Sequence, residues 1–136
     1  MYIEQLTGHH EKIWQLIHEL QSYKTDREVL DHAAKISLSI AKLSGILSIH
    51  LASEDKYLYP TLQKDSNPQI CQTAEKFSNE MGHLAEVYSS YKDSFMVASK
   101  IQAAPAVFLT ETQHVFTVLS ERLHREDQEL YPLLKE

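Results

Sequence analysis

Four stretches of the chain repeat apolar residues at intervals of three and four, the spacing that gathers side chains on one face of an α-helix. The first runs from about Tyr2 to Tyr23 and carries Ile3, Leu6, Ile13, Ile17 and Leu20, with His10 on the same face. The second runs from about Arg27 into the region of Pro60 and carries Ile36, Ile40, Leu43, Leu47, His50, Glu54 and Leu58. The third follows Pro68 with Thr73, Phe77, Leu84, Val87, Tyr91 and Phe95. The fourth opens at Pro105 with Phe108, Glu111, Val115, Val118, Arg122, Glu126 and Leu133. No stretch alternates with the two-residue period of a strand.

The punctuation agrees with this division. Pro68 and Pro105 stand at helix starts, where a missing N–H costs little. Thr25 or Asp26 can cap the second helix, and Glu28 places a negative charge in its first turn, where the helix dipole favours one. Lys-Asp-Ser-Asn-Pro, ending at Pro68, is a turn cluster. Breaks are therefore expected near residues 24, 66 and 102. Links this short join antiparallel neighbours. The pattern predicts one all-α domain over residues 1–136, an up-down-up-down antiparallel four-helix bundle.

Composition narrows the function classes. A chain of 136 residues suits a single core, and 43% apolar content with only three glycines and four prolines favours long helices. A net charge of −6 argues against a nucleic-acid-binding surface. No run approaches the roughly 18 consecutive apolar residues of a membrane span. The opening MYIEQLTGHHEK lacks a basic-then-apolar signal pattern. Cys71 is the only cysteine, so no internal disulfide can form and a reducing cytoplasm is the expected location. It reads as a small core residue, with no base placed to make it a nucleophile.

The chemistry lies in charges that fall at core spacing. Glu54, Arg122 and Glu126 must pair with one another, face water or bind metal, because an unpaired buried charge is costly. His50 and Glu54 are four apart, so they share a helical face. An imidazole and a carboxylate so placed can hold a borderline divalent ion such as iron, manganese or zinc. His10 fits its stripe better than His9. His83 lies on the flank of its stripe and Glu80 nearer the centre, so either or both can serve from the third helix. His18, His32, His114 and His124 read as surface or boundary residues, and Tyr57, Tyr59 and Tyr131 as helix-end packing with a polar tip.

Two longer strings echo each other. HLASEDKYLYP, from His50 to Pro60, aligns without gaps on RLHREDQELYP, from Arg122 to Pro132, sharing ED and LYP at identical offsets. With His10 and His83, these strings resemble the hemerythrin-like, or HHE cation-binding, domains over most of the chain. The resemblance implies a four-helix bundle holding non-haem iron, often two ions, with O₂, peroxide or NO binding, or iron handling or sensing, as the associated functions. It also implies a ligand set of His10, His50, Glu54, His83 and Glu126, with Glu54 able to bridge two ions.

The departures from the family pattern are specific. Val87 stands where a second histidine of the third helix is often found. Arg122 stands where the helix-four histidine is expected. A guanidinium cannot ligate a metal. Antiparallel geometry sets Arg122 in one layer with Glu80, Glu54 and Glu126, where it would replace one ion, leaving at most one held around His50, Glu54 and His10. Two other functions compete with metal binding. One is a metal-free bundle that works through protein contacts, with Arg122 and its carboxylates as a buried polar network. The other is a phosphotransfer bundle using an exposed His114 or His124.

Overall fold

The computed structural model describes residues 2–134, and among them every regular element is helical. The elements are α1 (Tyr2–Gln21), α2 (Asp26–Asp31), α3 (Ala33–Ser53), α4 (Tyr59–Gln63), α5 (Pro68–Phe95), α6 (Ala98–Ala103) and α7 (Pro105–Arg125). Two π-helical segments, Glu54–Leu58 and Glu126–Leu130, continue α3 and α7, and a 3₁₀ turn, Tyr131–Leu134, ends the described chain.

The helix starts follow local chemistry. Thr25 accepts from the Glu28 backbone N–H while the Glu28 carboxylate accepts from the Thr25 N–H, a complete capping box for α2. His32 then breaks the expected second helix into α2 and α3. Asn67 caps α5 through the Gln69 N–H at 2.9 Å, and Pro68 occupies its first turn. Pro105 does the same for α7.

Of the four longest helices, α1 packs on α3 and α7, and α5 packs on the same two, while α6 touches α3, α5 and α7. The inward faces form two apolar clusters. The larger includes Ile13, Ile17, Ile36, Ile40, Leu43, Leu84, Tyr91, Phe108, Phe116 and Leu123. The smaller gathers Leu6, Leu58, Tyr59, Leu62, Ala74, Phe77, Leu130 and Tyr131.

The stripes of α1 and α3 lie inward as their spacing predicts, down to buried His10, His50 and Glu54. The stripes of α5 and α7 differ by one position in places. Ala74 and Tyr88 are buried instead of Thr73 and Val87. Thr112 is buried and bonded to the Tyr91 hydroxyl, while Glu111 is exposed, which removes the need to pair a buried charge there. Cys71 is half-buried rather than a core residue, and its thiol donates to the Gln63 carbonyl. The run Ala33–Gln63 is long and apolar enough to cross a membrane by length and composition. In this fold its apolar face packs into the core, and its buried face also carries His50 and Glu54.

Candidate metal centre

A polar layer separates the two apolar clusters. On α1, His10 lies between Leu6 of one cluster and Ile13 of the other. On α3 and its π extension, His50 and Glu54 lie between Leu47 and Leu58. On α7 and its extension, Glu126 lies between Leu123 and Leu130. All four polar side chains are at most 3% exposed. One donor atom from each of them falls within 4.8 Å of every other. On α5 the same level, between Phe77 and Leu84, carries no fully buried residue.

The contacts within the layer are close. His10 Nε2 lies 2.8 Å from Glu126 Oε1 and 3.2 Å from His50 Nε2. His50 Nε2 lies 3.1 Å from Glu54 Oε2 and 3.1 Å from Glu126 Oε1. Two imidazole nitrogens aimed at each other can share only one proton between them. Their convergence with two carboxylates is a donor set suited to a borderline divalent cation, so the residues present fit such an ion. His10 Nδ1 meets Asp127 Oδ1 at 3.0 Å, and a carboxylate on the far nitrogen fixes the orientation of the ring. His9 Nδ1 contacts His50 Nδ1 at 3.2 Å, so the neighbouring histidine orients the layer from outside it.

Both π segments begin on a carboxylate of the layer. The Tyr59 N–H bonds to the Glu54 carbonyl and the Tyr131 N–H to the Glu126 carbonyl, each five residues back. Pro60 and Pro132 follow directly. A proline lacks the N–H that an α-turn would use, and its ring crowds the carbonyl four residues before it, so the widened turn answers the LYP string. The widening matters for side chains. In a regular α-helix five residues carry a side chain roughly 140° around the axis. Here each tyrosine returns to its own glutamate: Tyr59 donates to Glu54 Oε1 at 3.3 Å, and Tyr131 Oη lies 3.0 Å from Glu126 Oε1. The expectation that Tyr59 and Tyr131 are plain helix-end packing is corrected on this point. Tyr57 is exposed.

Arg122 turns inward and is 5% exposed. Its Nε donates to Glu126 Oε2 at 2.8 Å and its Nη2 to the Tyr59 hydroxyl. Its guanidinium lies 4.7 Å from the Phe77 ring centroid. Nη1 has no hydrogen-bond partner, and Glu80 Oε1 lies 3.7 Å from it. Glu80 is instead bonded to Arg125 Nη1 at 2.8 Å, at the rim of the layer, with its side chain 40% exposed. Arg122 thus occupies one oxygen of Glu126 and leaves the other facing the histidines.

His83 does not join the four. It is exposed on α5 and lines an outer groove with Glu80, Leu84, Val118, Arg122 and Arg125. Its place on the flank of the stripe turns the ring away from the core. His18, His32, His114 and His124 are exposed as well. Sequence reasoning set His9 aside in favour of His10, passed over Asp127, and read Tyr59 and Tyr131 as helix-end packing. The echo of ED and LYP pointed to the last three without showing what they touch.

The electrostatics follow from burial and proximity. Burial pulls the His50 imidazole down, but its hydrogen bonds to Glu126 and Glu54, and their charges, prevail and raise it to about 9. Burial pushes the Glu126 carboxyl up, yet the hydrogen bonds from His10 and His50, with the charges of His50 and Arg122, hold it well below the usual range. Glu54 is raised by burial and then by the charge of Glu126, which outweigh its bond to His50.

Searches among curated proteins and among solved structures return no match to this chain. The model of the hemerythrin HHE cation-binding domain matches residues 1–134 of the 136. With that match and a buried cluster of two histidines and two glutamates compatible with a metal site, the chain belongs to the hemerythrin HHE cation-binding domain family.

Proposed function

We propose that this protein holds a single iron ion among His10, His50, Glu54 and Glu126, inside an up-down-up-down antiparallel four-helix bundle. It would work in the cytoplasm in the sensing or handling of iron or of a small ligand such as O₂, NO or peroxide. The observation that carries the reading is the convergence of four buried donors within 4.8 Å of one another. Bound iron would supply redox and small-ligand chemistry. The chain's own residues bind and orient: Asp127 holds the His10 ring, His9 meets the far nitrogen of His50, and the apolar clusters on either side exclude water. Arg122 supports a count of one ion rather than two, because its fixed positive charge and its bond to Glu126 Oε2 take the side where a second ion would need a ligand. The bundle reading is supported by the four longest helices, each of which packs on two of the others, and by the short links between them.

Metal quantification on protein expressed in iron-replete medium tests the reading. About one iron per chain is expected, together with a rise in melting temperature over the chelated protein, since an ion that binds only the native state stabilises it. One observation favours a second reading, a metal-free interaction module: Glu126 already receives Arg122, His10 and Tyr131 without any ion. Protein that retains no metal, and whose melting is unmoved by added iron, manganese or zinc, would overturn the first reading in favour of the second.

A further inference from the structure

The Tyr131 hydroxyl contacts all four residues of the donor set. Its oxygen lies 3.0 Å from His10 Nε2, 3.2 Å from His50 Nε2, 2.7 Å from Glu54 Oε2 and 3.0 Å from Glu126 Oε1. It is thus in direct contact with one donor atom of each of the four residues. Atoms bound at right angles to one ion at about 2.1 Å stand roughly 3 Å apart. The phenol oxygen therefore sits at the spacing of a further ligand in the same coordination sphere. The side chain cannot easily be elsewhere: Tyr131 is 2% exposed, and the π turn that starts at Glu126 delivers it there.

The echoing tyrosine has a different environment. Tyr59 Oη meets Glu54 Oε1 at 3.3 Å and receives Arg122 Nη2. The two LYP strings, alike in sequence, thus end in unlike roles: Tyr59 is tied to the arginine, while Tyr131 faces both histidines.

We propose that Tyr131 is itself a ligand of the bound iron, its phenolate oxygen completing the set of His10, His50, Glu54 and Glu126. The proposal rests on the single-iron reading above. On binding, the ion takes the place of the phenolic proton, which leaves to solvent, and no electron transfer is required. An oxygen anion among the ligands favours the ferric state, because it is a hard donor that adds negative charge to the site.

The test uses the full chain, loaded with ferrous iron under nitrogen and then oxidised with ferricyanide, with iron content measured on the same sample. A phenolate bound to ferric iron gives a visible charge-transfer band, and Raman excitation within that band enhances tyrosine ring modes. Wild-type protein and Tyr59→Phe are expected to show both signals. Tyr131→Phe should still bind iron but lose both. Iron bound at about one per chain without the band overturns the tyrosine ligand and leaves the single-iron reading standing. Absence of bound iron overturns both. A band that survives in Tyr131→Phe, or that vanishes in Tyr59→Phe at unchanged iron content, also overturns the assignment. If circular dichroism shows Tyr131→Phe unfolded, Tyr59→Phe decides: signals retained at unchanged iron content support Tyr131, and signals lost at unchanged iron content overturn it.

Discussion

Removing the guanidinium of Arg122 should destabilise the metal-free protein by about 4 kcal/mol. The figure follows from what the side chain touches. Its Nε bond to Glu126 is charge-assisted and almost fully desolvated, with the partners 5% and 1% exposed, and breaking a buried ion pair costs about 3–5 kcal/mol because the remaining charge is left uncompensated. The donation to Tyr59 and the stacking on Phe77 are lost as well. Against this, Glu126 keeps His10, His50 and Tyr131 as neighbours, which holds the cost within the ordinary range. Urea unfolding of chelated Arg122→Ala at neutral pH, compared with wild type, measures the difference from midpoints at unchanged slope. Arg122→Lys should recover roughly half of the loss, since an ammonium restores the charge but not the planar fork. A loss below about 1 kcal/mol for Arg122→Ala, or equal losses for the two variants, would refute the claim that a buried, geometrically specific ion pair is at work. Arg122→His goes the other way: it supplies an imidazole where the arginine stood, and the iron content should rise from one towards two per chain.

Three other outcomes follow from the geometry. His50→Ala should abolish iron retention, whereas His83→Ala, on the exposed face of α5, should leave iron content unchanged; equal losses would place His83 in the site. Asp127→Asn should lower iron affinity about 10- to 100-fold with little change in folding, because Asp127 orients His10 from a position with its side chain 40% exposed; an unchanged affinity in a chelator competition would contradict that role. In the chelated protein His50 is raised from 6.5 to about 9, so its stabilisation is complete below about 6.5 and is lost as pH rises through 9. Glu126 is depressed, so its contribution is present above 4.5 and is lost on acidification. Urea midpoints should therefore peak between these limits, and a midpoint still rising from pH 7 to 9 would contradict the His50 assignment.

The sequence alone located the four long helices, because a period of 3.6 residues is a one-dimensional signal, but it did not show the break at His32, the short α6 or the π turns. Ile13, Ile17, Ile36, Ile40 and Leu43 lie inward as their spacing requires. The same period put His50 and Glu54 on one face and set Arg122 one turn before Glu126. Where an apolar residue and a small or polar neighbour both suit a face, the period could not choose. Packing buried Thr112 and Tyr88 and left Glu111 and His83 outside. Tertiary structure also decided everything that depends on distance through space: that His10 meets His50 and Glu126 across separate helices, that Asp127 holds its ring, and that Arg122 turns inward rather than along the surface. The tyrosines show the limit most clearly. An offset of five residues points away from the partner in an α-helix, so Tyr59 and Tyr131 looked peripheral in sequence. The π turns brought them to the carboxylates, and only the packing of the other helices determined that one tyrosine would meet an arginine and the other two histidines.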